Sequence, residues 1–180
     1  MEYPIRKDIR LNGFDYSRNG AYFVTVCTKD KMCIFWENGK KYQPLTDTLK
    51  TVGAHSVRPP MQHRIHLSEY GMAAKNSFKI VSAHYPMVFF DKYVIMPNHI
   101  HAIIRIEASY VRDGRTECAP TLSQIIKNFK ENATREIGFS VWQKSFYDRV
   151  IRNEHEYSAF WKYIETNPMN WESDELFTKE

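Results

Sequence analysis

Two strand-like runs separated by a two-residue turn constrain the fold of this chain more than any other feature. Residues 88–96 (VFFDKYVIM) and 99–106 (HIHAIIRI) are rich in aromatic and β-branched residues, with Pro97-Asn98 between them. Such runs favour β-strands, and a proline–asparagine pair favours a tight reversal or an irregularity. The sequence therefore predicts two strands that follow each other closely in the middle of the chain.

Further periodic patterns surround this pair. Strand-like runs cover residues 21–28 (AYFVTVCT) and 145–151 (SFYDRVI), and helical spacing of apolar residues predicts helices over 68–82, 121–137 and 154–166. Asn153 stands at the N-cap position of the last helix, and this helix should end before Pro168. The resulting order favours an α+β, ferredoxin-like (RRM-like) antiparallel sheet with helices packed on one side.

The chain length of 180 residues fits one domain, which we assign to residues 1–180. Residues 38–66 are polar, carry three prolines and show no regular periodicity, so we predict a loop or insertion there. Residues 107–120 are also polar and are predicted to form a loop. No internal repeat and no second domain is evident.

Cysteine usage and hydropathy bear on the compartment. Cys27, Cys33 and Cys118 are an odd number without a CxxC pair, which is typical of neither a disulfide framework nor a zinc site. No apolar run approaches the roughly 20 residues of a membrane span, and the N-terminus has no apolar segment typical of a signal peptide. We therefore expect a reduced cytoplasmic setting and no membrane partner.

The strand that begins at His99 carries two histidines around Ile100. Residues two apart in a strand point to the same face, so the imidazoles should lie about 6 to 7 Å apart, close enough to bind one metal ion. A chance pair on a solvated strand face is the competing interpretation. Metallo-hydrolases with His-x-His usually continue with an acidic residue and another histidine, whereas Ala102 and Ile103 follow here.

The last predicted helix has an apolar stripe formed by Tyr157, Phe160, Trp161 and Ile164. At about 100° per residue, Tyr163 lies roughly 110° from the centre of this stripe, so its hydroxyl should reach an edge of the helix. Asn167 follows one turn later on the same flank. From the helix alone, Tyr163 reads as an ordinary aromatic at the core margin, and Asn167 as a residue that ends the helix before a proline.

Four motifs in order resemble one family: LNGFDYSRNGAYFVTVCT, YVIMPNHIHAIIRI, LSQIIKNFK and WQKSFYDRVIRNEHEYSAFWKYIETNP. The chain resembles the REP-associated tyrosine transposases, relatives of the small single-strand transposases in the HUH superfamily. The superfamily is named for two histidines around a bulky hydrophobic residue, which His99, Ile100 and His101 match. The resemblance extends from about Arg6 to Trp171.

The resemblance implies a chemistry. Members of the family cut and rejoin single-stranded DNA beside hairpins through a 5′-phosphotyrosine intermediate, using one tyrosine and a divalent metal. By that resemblance Tyr163 is the nucleophile, His99 and His101 bind the metal, and Asn167 completes the metal site; Tyr147 and Tyr157 are nearby rivals for the nucleophile. The implied cofactor is Mg²⁺ or Mn²⁺, and two histidine ligands should make manganese readily acceptable.

The formal net charge of +4 and the pI of about 8.9 favour an anionic partner, although proteins without a nucleic-acid role carry as much. We expect single-stranded or hairpin DNA as the partner, with the protein acting as a homodimer or as a monomer. The candidate phosphate contacts are basic residues in three regions, although a charged face is commonly only solvated: Arg6, Lys7, Arg10, Lys127, Lys130, Arg149 and Arg152.

Three other functions stay open at this point. The first is a protein with the same fold that binds hairpin DNA without cutting it. The second is an RRM-like RNA-binding module, although the run HIHAIIRI lacks the Lys/Arg-Gly-aromatic signature of that class. The third is a replication or conjugation nuclease, for whose helicase or accessory domains the chain has no room.

Overall fold

A computed structural model describes residues 19–37, 43–44, 63–107, 109–112 and 115–178. Short 3₁₀ helices, Lys29–Lys31 and Asn167–Ser173, follow the first strand and the last helix. The main elements in chain order are β1 (Gly20–Cys27), β2 (Gln43–Pro44), β3 (His63–Arg64), α1 (Glu69–His84), β4 (Val88–Ile95), β5 (His99–Ile106), β6 (Ser109–Arg112), β7 (Arg115–Cys118), α2 (Leu122–Ile137), β8 (Tyr147–Ile151) and α3 (Glu154–Thr166).

A four-stranded antiparallel sheet forms the framework, with the strand order β4-β5-β1-β8. The backbone N–H of Met96 donates to the carbonyl of His99 at 2.8 Å, which closes the turn between β4 and β5. The two predicted central strands are therefore confirmed, with a tight reversal between them, and so is the α+β fold with an antiparallel sheet. β4 and β8 are the two edges of this sheet.

The two faces of the sheet are covered by different helices. α1 and α2 pack on one face, where Phe78 and Phe129 join the buried residues Val24, Ile100 and Ile104 of the central strands. On the opposite face, α3 packs on a smaller cluster of Val94, Met96, Ile103, Ile151 and Ile164. The prediction of helices on one side thus holds for α1 and α2 but is wrong for α3. Alternate side chains of a strand point in opposite directions, so the other face also carries apolar residues, and α3 covers these.

The helix ends follow from side-chain caps. The Ser68 hydroxyl accepts from the backbone N–H of Gly71 before α1, and Asn153 accepts from that of Glu156 before α3. Thr121 and Gln124 form a reciprocal capping box before α2. These contacts satisfy amide groups that would otherwise lack a partner in the first helical turn, and the three predicted helices are confirmed close to their predicted bounds.

Two predicted loops have a different outcome. Residues 107–120 are not simply a polar loop, because β6 and β7 pair there as an antiparallel hairpin. The sequence carries Asp113-Gly114 between them, a dipeptide typical of hairpin turns. Of residues 38–66, β2 and β3 pair with each other, while most of the segment lies outside the described residues. Within the described part of the chain, none of the helices has the length and apolarity required to cross a membrane.

Candidate active site

The two histidines of β5 meet on the face of the sheet that α3 covers. Their Nε2 atoms are 3.0 Å apart, and their side chains are almost completely buried, at 0% and 3% exposure for His99 and His101. Ile100 points into the core on the opposite face and is 1% exposed. Strand alternation therefore places one apolar residue in the core and two imidazoles in a common site.

Each imidazole is oriented by a hydrogen bond at Nδ1. Asn98 donates from Nδ2 to the carbonyl of Leu176 at 2.8 Å, which turns its Oδ1 toward Nδ1 of His99, also at 2.8 Å. Because an amide oxygen only accepts, Nδ1 of His99 carries the hydrogen and its Nε2 keeps a free lone pair. The Thr25 hydroxyl lies 2.8 Å from Nδ1 of His101 and serves that ring in the same way when it accepts.

The charge state of the pair follows from its burial. Burial lowers the pKa of His99 to about 3, and burial followed by repulsion from His99 lowers the pKa of His101 to about 3. Both rings are consequently neutral at physiological pH. Neutral imidazole is the form of histidine that binds a metal ion.

Tyr163 of α3 lies directly beside this pair. Its hydroxyl oxygen is 3.4 Å from Nε2 of His101, its ring packs edge-on against His101 and Phe23, and its side chain is 44% exposed. Burial raises the pKa of its phenol, as do the carboxylates of Asp174 and Glu175, whereas a hydrogen bond with Asn167 lowers it. The phenol is therefore protonated at neutral pH while remaining accessible from solvent.

Asn167 and Asp174 complete the polar cluster. Asn167 is 3% exposed and donates from Nδ2 to Oδ2 of Asp174 at 3.0 Å, while its Oδ1 has no hydrogen-bond partner among the described residues. Asp174, which follows the second 3₁₀ helix, offers a carboxylate oxygen within 4.8 Å of the ligand nitrogens of both histidines. The two imidazoles and the carboxylate form a donor set suited to a divalent cation, and Asn167 is hydrogen-bonded to that carboxylate.

The structure adds three residues that sequence reasoning had not assigned to the site: Thr25, Asn98 and Asp174. The sequence pattern identifies Asn98 only as a turn residue, although its place before His99 is a local signal for a partner of that ring. Thr25 is recognisable only once the pairing of β1 with β5 sets it opposite His101. Nothing near Asp174 in the sequence points to the histidines, since the fold alone brings it there.

A cavity of about 600 Å³ opens beside Tyr163. Its walls include the aromatic side chains of Phe23, Tyr147 and Phe160, together with His101 and Asp174. The rings of Phe23 and Phe160 stack on each other with their centroids 4.4 Å apart. The cavity is thus largely apolar and reaches the polar cluster at one end.

The two rival tyrosines occupy other positions. Tyr157 donates its hydroxyl to Oδ2 of Asp91 at 3.0 Å. Tyr147 lies on the edge strand β8 and is 53% exposed. Of these candidates, Tyr163 is the one whose hydroxyl lies in hydrogen-bonding distance of a site histidine.

The predicted basic residues are dispersed. Arg6, Lys7 and Arg10 lie outside the described residues. On α2, Lys127 is exposed and pairs with Glu131. Lys130 donates to the carbonyls of Gln143 at 2.7 Å and Ser145 at 2.9 Å, and burial lowers its pKa to about 8. The ammonium group of Lys130 therefore holds the segment between α2 and β8.

The two arginines near β8 are exposed. Arg149 forms an ion pair with Glu156 at 3.2 Å, and its guanidinium carbon lies 5.6 Å from the centre of the Phe160 ring, beside the cavity. The backbone N–H of Arg152 donates to the second carboxylate oxygen of Glu156 at 2.9 Å. The structure thus brings Arg149 close to the candidate site.

Comparison with known proteins establishes the relationship. No protein-family model matches the chain. A Haemophilus influenzae protein of uncharacterised function is 30% identical over an alignment of 194 positions, which covers 96% of this chain and 93% of that protein. A second Haemophilus influenzae protein, provisionally named a REP-associated tyrosine transposase, is 22% identical over 163 residues, which cover 86% of this chain and 73% of that protein. The chain is therefore similar over most of its length to a REP-associated tyrosine transposase, and it shares a family with the first Haemophilus influenzae protein.

The fold agrees with this relationship. A solved REP-associated tyrosine transposase bound to a REP hairpin superposes with a TM-score of 0.54 at 20% identity, covering 89% of this chain and 73% of that one. The family resemblance predicted from the motif order is therefore confirmed. The polar cluster around His99, His101 and Tyr163 is the candidate active site.

Proposed function

We propose that this protein is a metal-dependent transposase that cuts and rejoins single-stranded DNA beside hairpins through a 5′-phosphotyrosine bond at Tyr163. The observation that carries the proposal is the distance of 3.4 Å between the Tyr163 hydroxyl and Nε2 of His101, one of two adjacent buried imidazoles. Hairpin DNA is proposed as the substrate because the solved relative is bound to a REP hairpin.

The residues present fit a divalent cation. Two ligands at right angles, each about 2.1 Å from an ion, lie about 3.0 Å apart, and the two Nε2 atoms are separated by 3.0 Å. The buried Oδ1 of Asn167 lacks a protein partner among the described residues and is an oxygen that an ion would satisfy. We assign His99, His101 and Asn167 as ligands of Mg²⁺ or Mn²⁺, with the Asp174 carboxylate as a further oxygen donor. A bound ion would polarise the scissile phosphate and offset its negative charge.

The protein's own residues supply the nucleophile and its alignment. The Tyr163 oxygen attacks phosphorus and forms the O–P bond, while the bond from phosphorus to the 3′ oxygen breaks. The phenolic proton passes to water, and the leaving oxygen takes up a proton to become a free 3′-hydroxyl. Contacts with His101 and Phe23 hold the Tyr163 ring in place for this attack. Attack by a 3′-hydroxyl on the phosphotyrosine reverses the step and rejoins the DNA without ATP.

DNA contacts outside the cluster are proposed for basic residues of the chain. The Lys130 ammonium group is already engaged by two carbonyls, so we place it in the scaffold rather than among the phosphate contacts. The remaining candidates are Arg6, Lys7, Arg10, Lys127, Arg149 and Arg152. Because phosphate contacts are largely electrostatic, binding should weaken as the salt concentration rises.

The test is formation of a covalent protein–DNA adduct with labelled hairpin DNA in Mn²⁺ or Mg²⁺. Tyr163→Phe removes the hydroxyl but keeps the ring packing, so it should fold, bind DNA and form no adduct. Tyr157→Phe is the matched control, since it removes a hydroxyl from the same helix that is bonded to Asp91, and it should retain the adduct. Undiminished adduct from Tyr163→Phe would refute the assignment.

Two further arms define the substrate and separate the alternatives. Unstructured single strands and duplex DNA should be cut less than the hairpin, because a duplex must first be unpaired and unstacked at a cost of a few kcal/mol. Hairpin binding without an adduct in either metal would favour a non-catalytic DNA-binding protein. Preference for structured RNA would favour the RNA-binding alternative.

A further inference from the structure

We propose that the cavity beside Tyr163 is a nucleobase site, in which the ring of Tyr147 stacks on an unpaired base adjacent to the scissile phosphate. This inference rests on the proposed function of the same site and deepens it by assigning a substrate contact. The occupant is one base of the single-stranded DNA, and Tyr147 is a binding residue rather than a second nucleophile.

The sheet register places Tyr147 in line with the active site. Tyr147 of β8 pairs with Thr25 of β1, and Thr25 pairs with His101 of β5. Directly paired residues of adjacent strands point to the same face, so the three side chains form a row across the sheet. With about 4.8 Å between neighbouring strands, the row spans about 10 Å. That span corresponds roughly to one nucleotide beyond a phosphate held beside His101 and Tyr163.

The cavity has the size and lining for a base. Its volume is about 600 Å³, and Phe23, Phe160 and Tyr147 contribute aromatic surface. The Tyr147 side chain is 53% exposed on an edge strand, so its ring is accessible to a ligand and adds little to the core. Phe23 and Phe160, in contrast, are stacked on each other and form a wall. Exposed aromatic rings are the platforms on which proteins stack unpaired bases.

The charges around the cavity indicate where the DNA backbone runs. Arg149 lies two residues from Tyr147 on the same face of β8, with its guanidinium beside Phe160. Its ion pair with Glu156 is exposed, and such pairs are weak enough to exchange for a phosphate. Asp174 and Glu175, in contrast, are carboxylates among the residues that line the cavity, and they would repel a phosphate. The sugar–phosphate backbone should therefore pass on the Arg149 side, with the base directed into the aromatic cavity.

The experiment measures base stacking directly, in a Tyr163→Phe background that binds without cutting. The cleavage position is first mapped with the wild-type adduct, and 2-aminopurine is then placed at each position flanking it. Binding should quench the fluorescence at one flanking position, because an aromatic ring stacked on 2-aminopurine quenches it. Tyr147→Phe, which keeps the ring, should retain this quenching. Tyr147→Ala should abolish it and weaken binding roughly 10-fold to 100-fold.

An abasic nucleotide at the same position provides the matched control. If the base stacks on Tyr147, the abasic substitution and Tyr147→Ala remove the same contact, so their effects on affinity should not add. Additive losses, or quenching that survives in a folded Tyr147→Ala protein, would overturn the inference while leaving the adduct chemistry intact. Failure of the wild-type protein to form any adduct would overturn the proposed function, and this inference with it.

Discussion

The two faces of the central sheet bury very different side chains. Under α1 and α2 the buried residues are large and apolar, as with Tyr22, Ile104 and Phe129, which are at most 2% exposed. Under α3 the apolar cluster is smaller, and it adjoins buried polar residues that include His99 and His101. The same strands build both faces, because alternate side chains point in opposite directions. One sheet thus separates the stability of the fold from its chemistry.

The difference extends to the helices. α2 contributes six buried residues, including Ile125 and Phe129, whereas Ile164 is the one buried residue within α3. Tyr157, Phe160 and Trp161 of α3 are only half-buried. Because hydrophobic stabilisation scales with the apolar area removed from water, the α3 face contributes less to the free energy of unfolding. On this face, a cavity of about 600 Å³ stays open beside Tyr163.

The largest expected effect tests this division of stability. Phe129→Ala deletes a buried ring that α2 packs on the sheet, and it should lower the free energy of unfolding by about 3–5 kcal/mol in chemical denaturation. Phe160→Ala, the counterpart on the α3 face, should cost clearly less because the Phe160 ring is half-buried. Equal losses from the two substitutions would show that both faces contribute alike.

A smaller effect should follow from pH in the presence of a chelator. The pKa of each site histidine is lowered from 6.5 to about 3, so on acidification the unfolded chain binds protons that the folded protein does not. Stability should therefore be complete above about pH 6.5 and should fall as the pH drops toward 3. At pH 5.5 the expected loss is about 1.4 kcal/mol for each imidazole. Denaturation of His101→Gln should show about half of this pH dependence; an unchanged dependence would contradict the assignment to these buried rings.

The smallest expected effect concerns the support of the metal ligands. Asn98→Ala removes the acceptor for Nδ1–H of His99 and should weaken Mn²⁺ binding about 10-fold to 100-fold in calorimetry. The packing of the sheet face under α1 and α2 should change little. Asn98→Asp retains an acceptor at that position and should bind Mn²⁺ more tightly than Asn98→Ala. If both variants bind Mn²⁺ as the wild type does, Asn98 does not position His99 for a metal.

Features that depend on local sequence were predictable. In any strand, His99 and His101 point to one face and Ile100 to the other. The helical spacing of apolar residues before Pro168 likewise predicts both α3 and its end. Ser68 and Asn153 act as caps because their short polar side chains reach amides three residues ahead. The position of Tyr163 at the edge of its helix is also a local feature, because it follows from the rotation of about 100° per helical residue.

Features that depend on distant contacts were not predictable. Asp174 reaches the histidines across more than seventy residues of sequence, and only the path of the chain after α3 brings it there. The side of the sheet on which α3 lies depends on the path of the two residues that connect β8 to α3, Arg152 and Asn153. A helical pattern gives the period of an apolar face but not the surface it covers. The β6–β7 hairpin was missed because its polar composition outweighed its turn signal.

Strand β5 ties the core and the active site together in one register. Ile100 contributes to the main core, while His99 and His101 on either side of it face Tyr163. Substitutions at single positions of β5 can change one face without changing the other. An inserted or deleted residue exchanges the two faces, moving an imidazole into the core and an aliphatic side chain into the site. Over evolutionary time this strand should therefore tolerate replacement of residues but resist any change in its length.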